Sequence, residues 1–95
     1  MLEEVKKYLA ITWNDEITNF QVQNSIDEGK AYLENIVGFP ILFNSDLVAK
    51  SLLKDYCRYV RNYSLELFEN NFKDRLISLQ LKYAVFKEQN KAWYI

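Results

Sequence analysis

The chain has no histidine, one cysteine, two glycines and one proline among its 95 residues. The commonest general base and metal ligand is therefore missing, and Cys57 alone can complete neither a zinc site nor an internal disulfide. Two glycines are too few for a glycine-rich loop that cradles a phosphate or a dinucleotide. We interpret the pairs of neighbouring acidic residues, such as Asp15-Glu16, as solvent-exposed charges or as charges in the first turn of a helix. We therefore expect no enzyme, no metal and no cofactor.

An excess of charge and a long apolar run are absent too. The net charge is −1, and the 12 basic residues do not form the positive cluster that non-specific nucleic-acid binding needs. Acidic residues at the expected helix starts would repel phosphates, so we expect no sequence-specific DNA binding. No apolar run approaches the roughly 20 residues of a membrane span, and the N-terminus lacks a signal-peptide pattern. We expect a cytosolic protein without a membrane partner.

Hydrophobic residues make up 49% of the chain and aromatics 16%. With so few helix breakers, this composition favours long helices over strands or disorder. The sequence predicts an all-α fold, a small four-helix domain of orthogonal or bundle-like type with two long helices. It covers residues 1–95, with helices at about residues 2–10, 15–37, 46–69 and 72–89.

The predicted helix at residues 46–69 is the one around which the others are organised. Ser45 is its expected N-cap, with Asp46 in the first turn. At about 100° per residue, the polar residues, Asp55 included, fall opposite a broad apolar sector. Cys57 lies on the flank of that sector and is expected to be a buried, inert thiol. The sector comprises Val48, Ala49, Leu52, Leu53, Tyr56, Tyr59, Val60, Tyr63 and Leu67.

The predicted helix at residues 15–37 has clear ends. Asn14 or Asp15 is a good N-cap, and Gly38 is a typical C-terminal stop. Gly29 in mid-helix costs about 1 kcal/mol against alanine, so a close helix crossing is expected there. The core stripe comprises Thr18, Val22, Ile26, Gly29 and Leu33, with Ile36 or Val37.

Several apolar residues lie outside these core stripes. The second helix carries Ile17, Phe20 and Ala31 well away from its core face. The last helix has a core stripe of Phe72, Leu76, Leu79, Tyr83 and Phe86, and nearly opposite it a second stripe that includes Ile77, Leu81 and Val85. That second stripe is either sandwiched within the chain or faces another subunit, and we favour the subunit. These six residues outside the core stripes are the candidates for a subunit interface.

Two further segments are apolar. The connector at residues 39–43 is expected either to fold under the domain, which we favour, or to form an exposed contact loop, with Pro40 ending helical continuation. The end of the sequence carries Trp93, Tyr94 and Ile95, which either pack on their own domain or anchor in a partner. We take these three residues as candidates for docking to a partner.

Three stretches of sequence resemble the small head-tail connector proteins of tailed bacteriophages, also called head-completion or adaptor proteins. The first is residues 5–11 (VKKYLAI) with residues 14–17 (NDEI). The second is residues 25–35 (SIDEGKAYLEN), closed by Gly38. The third is residues 52–62 (LLKDYCRYVRN), continued by residues 68–72 (FENNF) and 79–84 (LQLKYA). Together they cover most of the chain.

The resemblance implies a virion-assembly protein, encoded by a phage or prophage, that forms a ring of about a dozen copies beneath the portal after DNA packaging. Its partners would be the portal protein and the next neck or tail protein. Trp93, Tyr94 and Ile95 are, by position, the segment that would reach towards the portal. The protein would be found first in the bacterial host cytoplasm and then in the virion neck.

A second interpretation comes from a different class of protein. A small helical regulator that binds a partner protein would bury the same apolar stripes, and it would do so as a dimer. The stoichiometry of the oligomer separates this interpretation from the ring subunit.

Overall fold

The computed structural model describes residues 1–89, which form helices and no strand. The all-α prediction is confirmed. Helices occur close to the first, second and last predicted positions, whereas the third predicted helix is divided. The elements are α1 (Leu2–Tyr8), α2 (Glu16–Val37), α3 (Leu47–Arg61), a 3-10 turn (Leu65–Leu67), α4 (Phe68–Asn71) and α5 (Lys73–Gln89).

Helix α2 begins and ends as its sequence predicts. The Asp15 carboxylate accepts hydrogen bonds from the Thr18 backbone N–H at 3.1 Å and from its hydroxyl at 2.8 Å. Gly38 ends the helix in the left-handed conformation, at φ 66°. A methyl group on Gly29 would lie 2.6 Å from Leu53 Cδ1, so the glycine does mark a close helix crossing, against α3.

Helix α3 ends at Arg61, so the prediction of one helix over residues 46–69 is wrong. Tyr63 takes the left-handed conformation at φ 54° and donates its backbone N–H to the Val60 carbonyl, while the Ser64 N–H reaches the Tyr59 carbonyl. These two bonds are the Schellman pattern that closes a helix. A tyrosine at this position instead of a glycine gave no stop signal in the sequence.

Because α3 ends early, two residues of the predicted apolar sector do not lie in the core. Tyr63 is 93% exposed and Leu67 is half exposed, and Val48 is also exposed at the other end of α3. After the turn, α4 returns Phe68 to the core, where its ring lies edge-on to Tyr56 and stacks on Phe72. Phe68 therefore fills a part of the core. If α3 continued as one helix, other residues would have to fill that space.

Two smaller boundaries also differ from prediction. The N-cap of α3 is Asp46 rather than Ser45, because the Asp46 carboxylate accepts the Ala49 backbone N–H at 3.0 Å. Helix α1 ends at Tyr8, since Ala10 turns left-handed at φ 60° and its N–H bonds to the Lys7 carbonyl. Both are shifts of one or two residues, the usual uncertainty at helix ends.

Helix α5 runs antiparallel to α3. Arg75, near its start, reaches Ser51 at 3.2 Å, and Tyr83, a little over two turns later, reaches Asp46 at the start of α3. Of the predicted core stripe of this helix, Leu76, Leu79 and Tyr83 are buried.

The connector between α2 and α3 folds under the domain as predicted. The Ile41 backbone N–H donates to the Glu34 carboxylate at 2.9 Å, and the side chains of Ile41 and Phe43 are buried. Leu42 between them is 75% exposed. Within residues 1–89 no helix is long and apolar enough to cross a membrane.

Candidate interaction surfaces

The outer face of α5 is an exposed apolar stripe. Ile77, Leu81 and Val85 follow one another at one-turn spacing, and all three are exposed, Leu81 by 63%. The described part of the chain therefore does not sandwich this stripe, which leaves it open to a partner. We call Ile77, Leu81 and Val85 the α5 stripe.

The start of α2 carries a second exposed apolar patch. Ile17 and Phe20 are each 69% exposed and lie on the side of the helix away from its core residues. Ala31 is exposed as well, but it lies about 16 Å further along the helix axis. The structure thus brings Ile17 and Phe20 together, as the α2 patch, and leaves Ala31 apart from them.

The α5 stripe and the α2 patch are well separated. Gln80, beside Leu81, donates its side-chain amide to the Ile36 carbonyl at 3.2 Å, which places the middle of α5 at the C-terminal end of α2. Phe20 is sixteen residues before Ile36, or roughly 24 Å along the helix. The chain therefore presents two different apolar surfaces at distant places.

A third surface is a groove of about 460 Å³ between the connector and the last two turns of α5. The rings of Phe39 and Phe86 meet edge-on in its wall, with centroids 5.0 Å apart. Sequence reasoning did not find this groove, because it needs the connector and α5 to be adjacent. Its lining is Phe39, Pro40, Leu42, Ser45, Asp46, Lys82, Tyr83, Val85, Phe86 and Gln89.

Asp46 fixes the position of α5 beside this groove. One carboxylate oxygen caps α3, and the other accepts hydrogen bonds from the Tyr83 hydroxyl at 2.7 Å and from Lys82 Nζ at 2.9 Å. Burial raises the pKa of Asp46, but the hydrogen bonds from Lys82, the Ala49 N–H and Tyr83 outweigh it and hold the pKa below its ordinary value. Burial, and then the bond to Asp46, raises the pKa of Tyr83.

Asp55 is a buried anion, contrary to its predicted place on the polar face of α3. Its carboxylate accepts a hydrogen bond from the Tyr8 hydroxyl of α1 and lies 3.3 Å from Arg58 and 3.6 Å from Arg75 of α5. The hydrogen bond to Asp55, followed by burial, raises the pKa of Tyr8. Helices α1, α3 and α5 therefore meet at the Asp55 carboxylate. Its negative charge is paired with two arginines, as in a structural ion pair rather than a reactive group.

Cys57 is buried, as predicted. Burial raises the pKa of its thiol to about 12, so at neutral pH the thiol stays protonated and unreactive. Among residues 1–89, no three or more cysteine, aspartate or glutamate side chains come together in a group that could hold a metal ion.

The partner-docking candidates Trp93, Tyr94 and Ile95 lie outside the described residues. Comparison with protein-family models, with curated proteins and with solved structures finds no match to this chain.

Proposed function

We propose that the chain is a structural head-tail connector subunit of a tailed phage or prophage. It assembles as a ring of about a dozen copies under the portal and offers a docking surface to the next neck or tail protein. It acts in the host cytoplasm during assembly and afterwards in the virion neck. The observation that carries this proposal is the pair of separate apolar surfaces, the α2 patch and the α5 stripe, together with the resemblance in sequence.

A ring needs two different surfaces on each subunit. In a head-to-tail contact, one surface of each copy binds the other surface of the next copy, whereas a twofold dimer uses the same surface twice. Phe20 and Leu81 are exposed apolar residues on two such surfaces, and about 24 Å of α2 separates Phe20 from the helix end that contacts α5. The α2 patch of one copy would therefore contact the α5 stripe of its neighbour.

The charge of the chain supports the same proposal. A net charge of −1, with basic residues dispersed, gives DNA little to bind, and DNA must slide through a neck without adhering to it.

The second candidate function, a dimeric regulator that acts by protein–protein contact, is favoured by the α5 stripe alone. Its three residues at one-turn spacing can pair with the same stripe of a second copy across a twofold axis. In that arrangement the α2 patch stays exposed.

Two single variants distinguish these arrangements, Phe20→Asp and Leu81→Asp. Native mass spectrometry of each variant is run over a concentration series, alone and with a purified candidate portal ring. For a head-to-tail ring, neither variant assembles alone, but their mixture forms a dimer that cannot grow, because one intact contact remains between them. For a twofold dimer through α5, Phe20→Asp still dimerises and Leu81→Asp does not.

Leu47→Asp is the matched control, since Leu47 is an exposed leucine outside both surfaces. Circular dichroism checks that each variant keeps its helices. The ring proposal is contradicted if Leu81→Asp keeps both its helicity and its oligomer mass.

A further inference from the structure

We infer that Arg61 of one copy pairs with Glu66 of its neighbour where the α2 patch meets the α5 stripe. The pair deepens the proposed function and rests on it, because it needs the head-to-tail contact. What it adds is the charged contact that aligns the two copies. Two concave sites, one beside each apolar surface, lead to it.

The first site, which we call the α3 cleft, lies between α2 and the end of α3 and has a volume of about 320 Å³. On the α2 side it is lined by Gln21, one turn after Ile17, and by Asn24, one turn after Phe20. On the α3 side it is lined by Arg61. The cleft therefore extends the α2 patch towards a cation.

The second site, which we call the α4 pocket, lies between α4 and α5 and has a volume of about 510 Å³. Ile77, the first residue of the α5 stripe, lines it together with Glu66 of the 3-10 turn. Leu65 and Leu67, on either side of Glu66 in the sequence, are exposed leucines. The pocket therefore extends the α5 stripe towards an anion and two further apolar side chains.

Arg61 and Glu66 are both available to a second copy. Both residues are exposed, and neither takes part in the ion pairs formed within residues 1–89. Arg61 lies over the Trp13 ring, 5.9 Å from its centroid, which holds the guanidinium at the end of α3 without neutralising its charge. Arginine is also the cation best suited to bind a carboxylate at an interface.

The α4 pocket contains a second carboxylate, that of Glu69. Burial, and then the charge of Glu69, raises the pKa of Tyr32, so Glu69 acts on a residue of its own chain. Glu66 has no such partner within the described helices and stands between exposed leucines. Glu66 is therefore the carboxylate that a neighbouring copy meets.

A further pair of charges matches with the signs exchanged. Glu28 lines the α3 cleft with Arg61, and Lys73 lines the α4 pocket with Glu66. Each cation therefore has an anion to face on the other copy. Apolar surfaces supply most of the contact area, whereas complementary charges fix the alignment and exclude other orientations.

Tyr63, at the edge of the α3 cleft, also indicates a partner there. Its backbone is left-handed at φ 54° and its side chain is 93% exposed, so the fold gains no packing from a strained residue. Tyrosine and arginine are the residue types that dominate binding energy in protein interfaces. In the head-to-tail contact the Tyr63 ring would cover the exposed leucines beside Glu66.

Reversal of the two charges tests the pair. Arg61→Glu and Glu66→Arg each bring like charges together, so each variant alone should need a concentration about tenfold or more above that of the parent to assemble. An equimolar mixture of the two should assemble in alternating order, within about threefold of the parent, because every contact then joins opposite charges. The double variant, with both reversals in one chain, should do the same. Native mass spectrometry over a concentration series, alone and with the candidate portal ring, measures assembly.

Lys7→Glu and Glu3→Arg are the matched controls. They make the same charge changes at exposed positions of α1 that line neither site, and they should assemble like the parent. Tyr63→Gly removes the ring together with the backbone strain. It should keep its helices by circular dichroism and still assemble less well than the parent, which a role in folding alone does not explain.

Three outcomes would overturn the inference. If Phe20→Asp and Leu81→Asp prevent assembly but both charge reversals assemble like the parent, the ring contact stands and the ion pair is wrong. If the reversals weaken assembly and neither the mixture nor the double variant restores it, Arg61 and Glu66 do not meet. If the parent forms no oligomer at any concentration, with or without the portal, the proposed function itself fails and the pair fails with it.

Discussion

Tyr83 of α5 donates its hydroxyl to Asp46, the N-cap of α3, at 2.7 Å. This bond joins the end of the connector to the last long helix, and Lys82 binds the same carboxylate oxygen at 2.9 Å. The arrangement positions α5 and forms one rim of the groove.

The first prediction concerns that hydrogen bond. Tyr83→Phe keeps the buried ring but removes a bond to a carboxylate, and we expect the free energy of unfolding to fall by about 1–2 kcal/mol. Urea denaturation followed by circular dichroism measures the change. Tyr63→Phe is the control, because Tyr63 is exposed, and it should stay within about 0.5 kcal/mol of the parent. Equal effects of the two variants would contradict the prediction.

The second prediction concerns pH. The pKa of Asp46 is lowered in the folded protein, so its ionised form stabilises the fold at pH values above the ordinary aspartate pKa. That contribution is lost as the pH falls from about 4 towards the folded-state pKa. Asp46→Asn keeps a good N-cap but cannot titrate, so its stability should decline less steeply in acid.

Thermal unfolding of both proteins between neutral and acid pH measures this difference. Glu4 and Asp15 also have lowered pKa values, but they are present in both proteins and cancel in the comparison. Parallel curves for the parent and Asp46→Asn would show that Asp46 does not contribute.

The third prediction concerns the end of α3. Tyr63 is left-handed and almost fully exposed, so Tyr63→Gly relieves backbone strain and loses little packing. We expect the free energy of unfolding to rise by about 0.5–1 kcal/mol. Asn62→Gly is the control one residue earlier, at φ −91°, where glycine brings no relief and should be neutral or destabilising. Chemical denaturation midpoints rank the three proteins.

The fourth prediction concerns the crossing of α2 and α3. Gly29→Ala would place a methyl 2.6 Å from Leu53 Cδ1 and 2.9 Å from Tyr56 Cδ1, and both residues are buried. We expect a net loss of about 1–3 kcal/mol from overpacking, despite the better helix propensity of alanine. Asn24→Ala, exposed on the same helix, should not lose stability. A Gly29→Ala protein as stable as the parent would mean that the helices can move apart cheaply.

The sequence predicted those features that depend on neighbours along the chain. Asp15 and Gly38 could be identified as the ends of α2, because helix capping depends on residues that are near in the sequence. Gly29 could be identified as the helix crossing, because glycine destabilises a helix interior and is expected there where two helices approach closely. The stop at Tyr63 was missed, because tyrosine does not favour the left-handed conformation that it adopts there. The burial of Asp55 was missed because its partners Tyr8 and Arg75 are distant in sequence.

The candidate surfaces also divide into those that a local sequence pattern predicts and those that depend on tertiary contacts. Helical periodicity alone separated Ile77, Leu81 and Val85 from the core stripe of the last helix, and the structure leaves all three exposed. The groove depends on how the connector at Phe39 lies against Phe86. No local pattern encodes that juxtaposition.

Val85 belongs to both the α5 stripe and the groove. A substitution at Val85 therefore changes both surfaces at once, whereas a substitution at Leu81 changes the α5 stripe and leaves the groove lining intact. A ligand that covers Val85 in the groove and a partner that covers it on the outer face of α5 would contact the same side chain. By reciprocity, any effect of the one on the affinity of the other acts equally in the opposite direction.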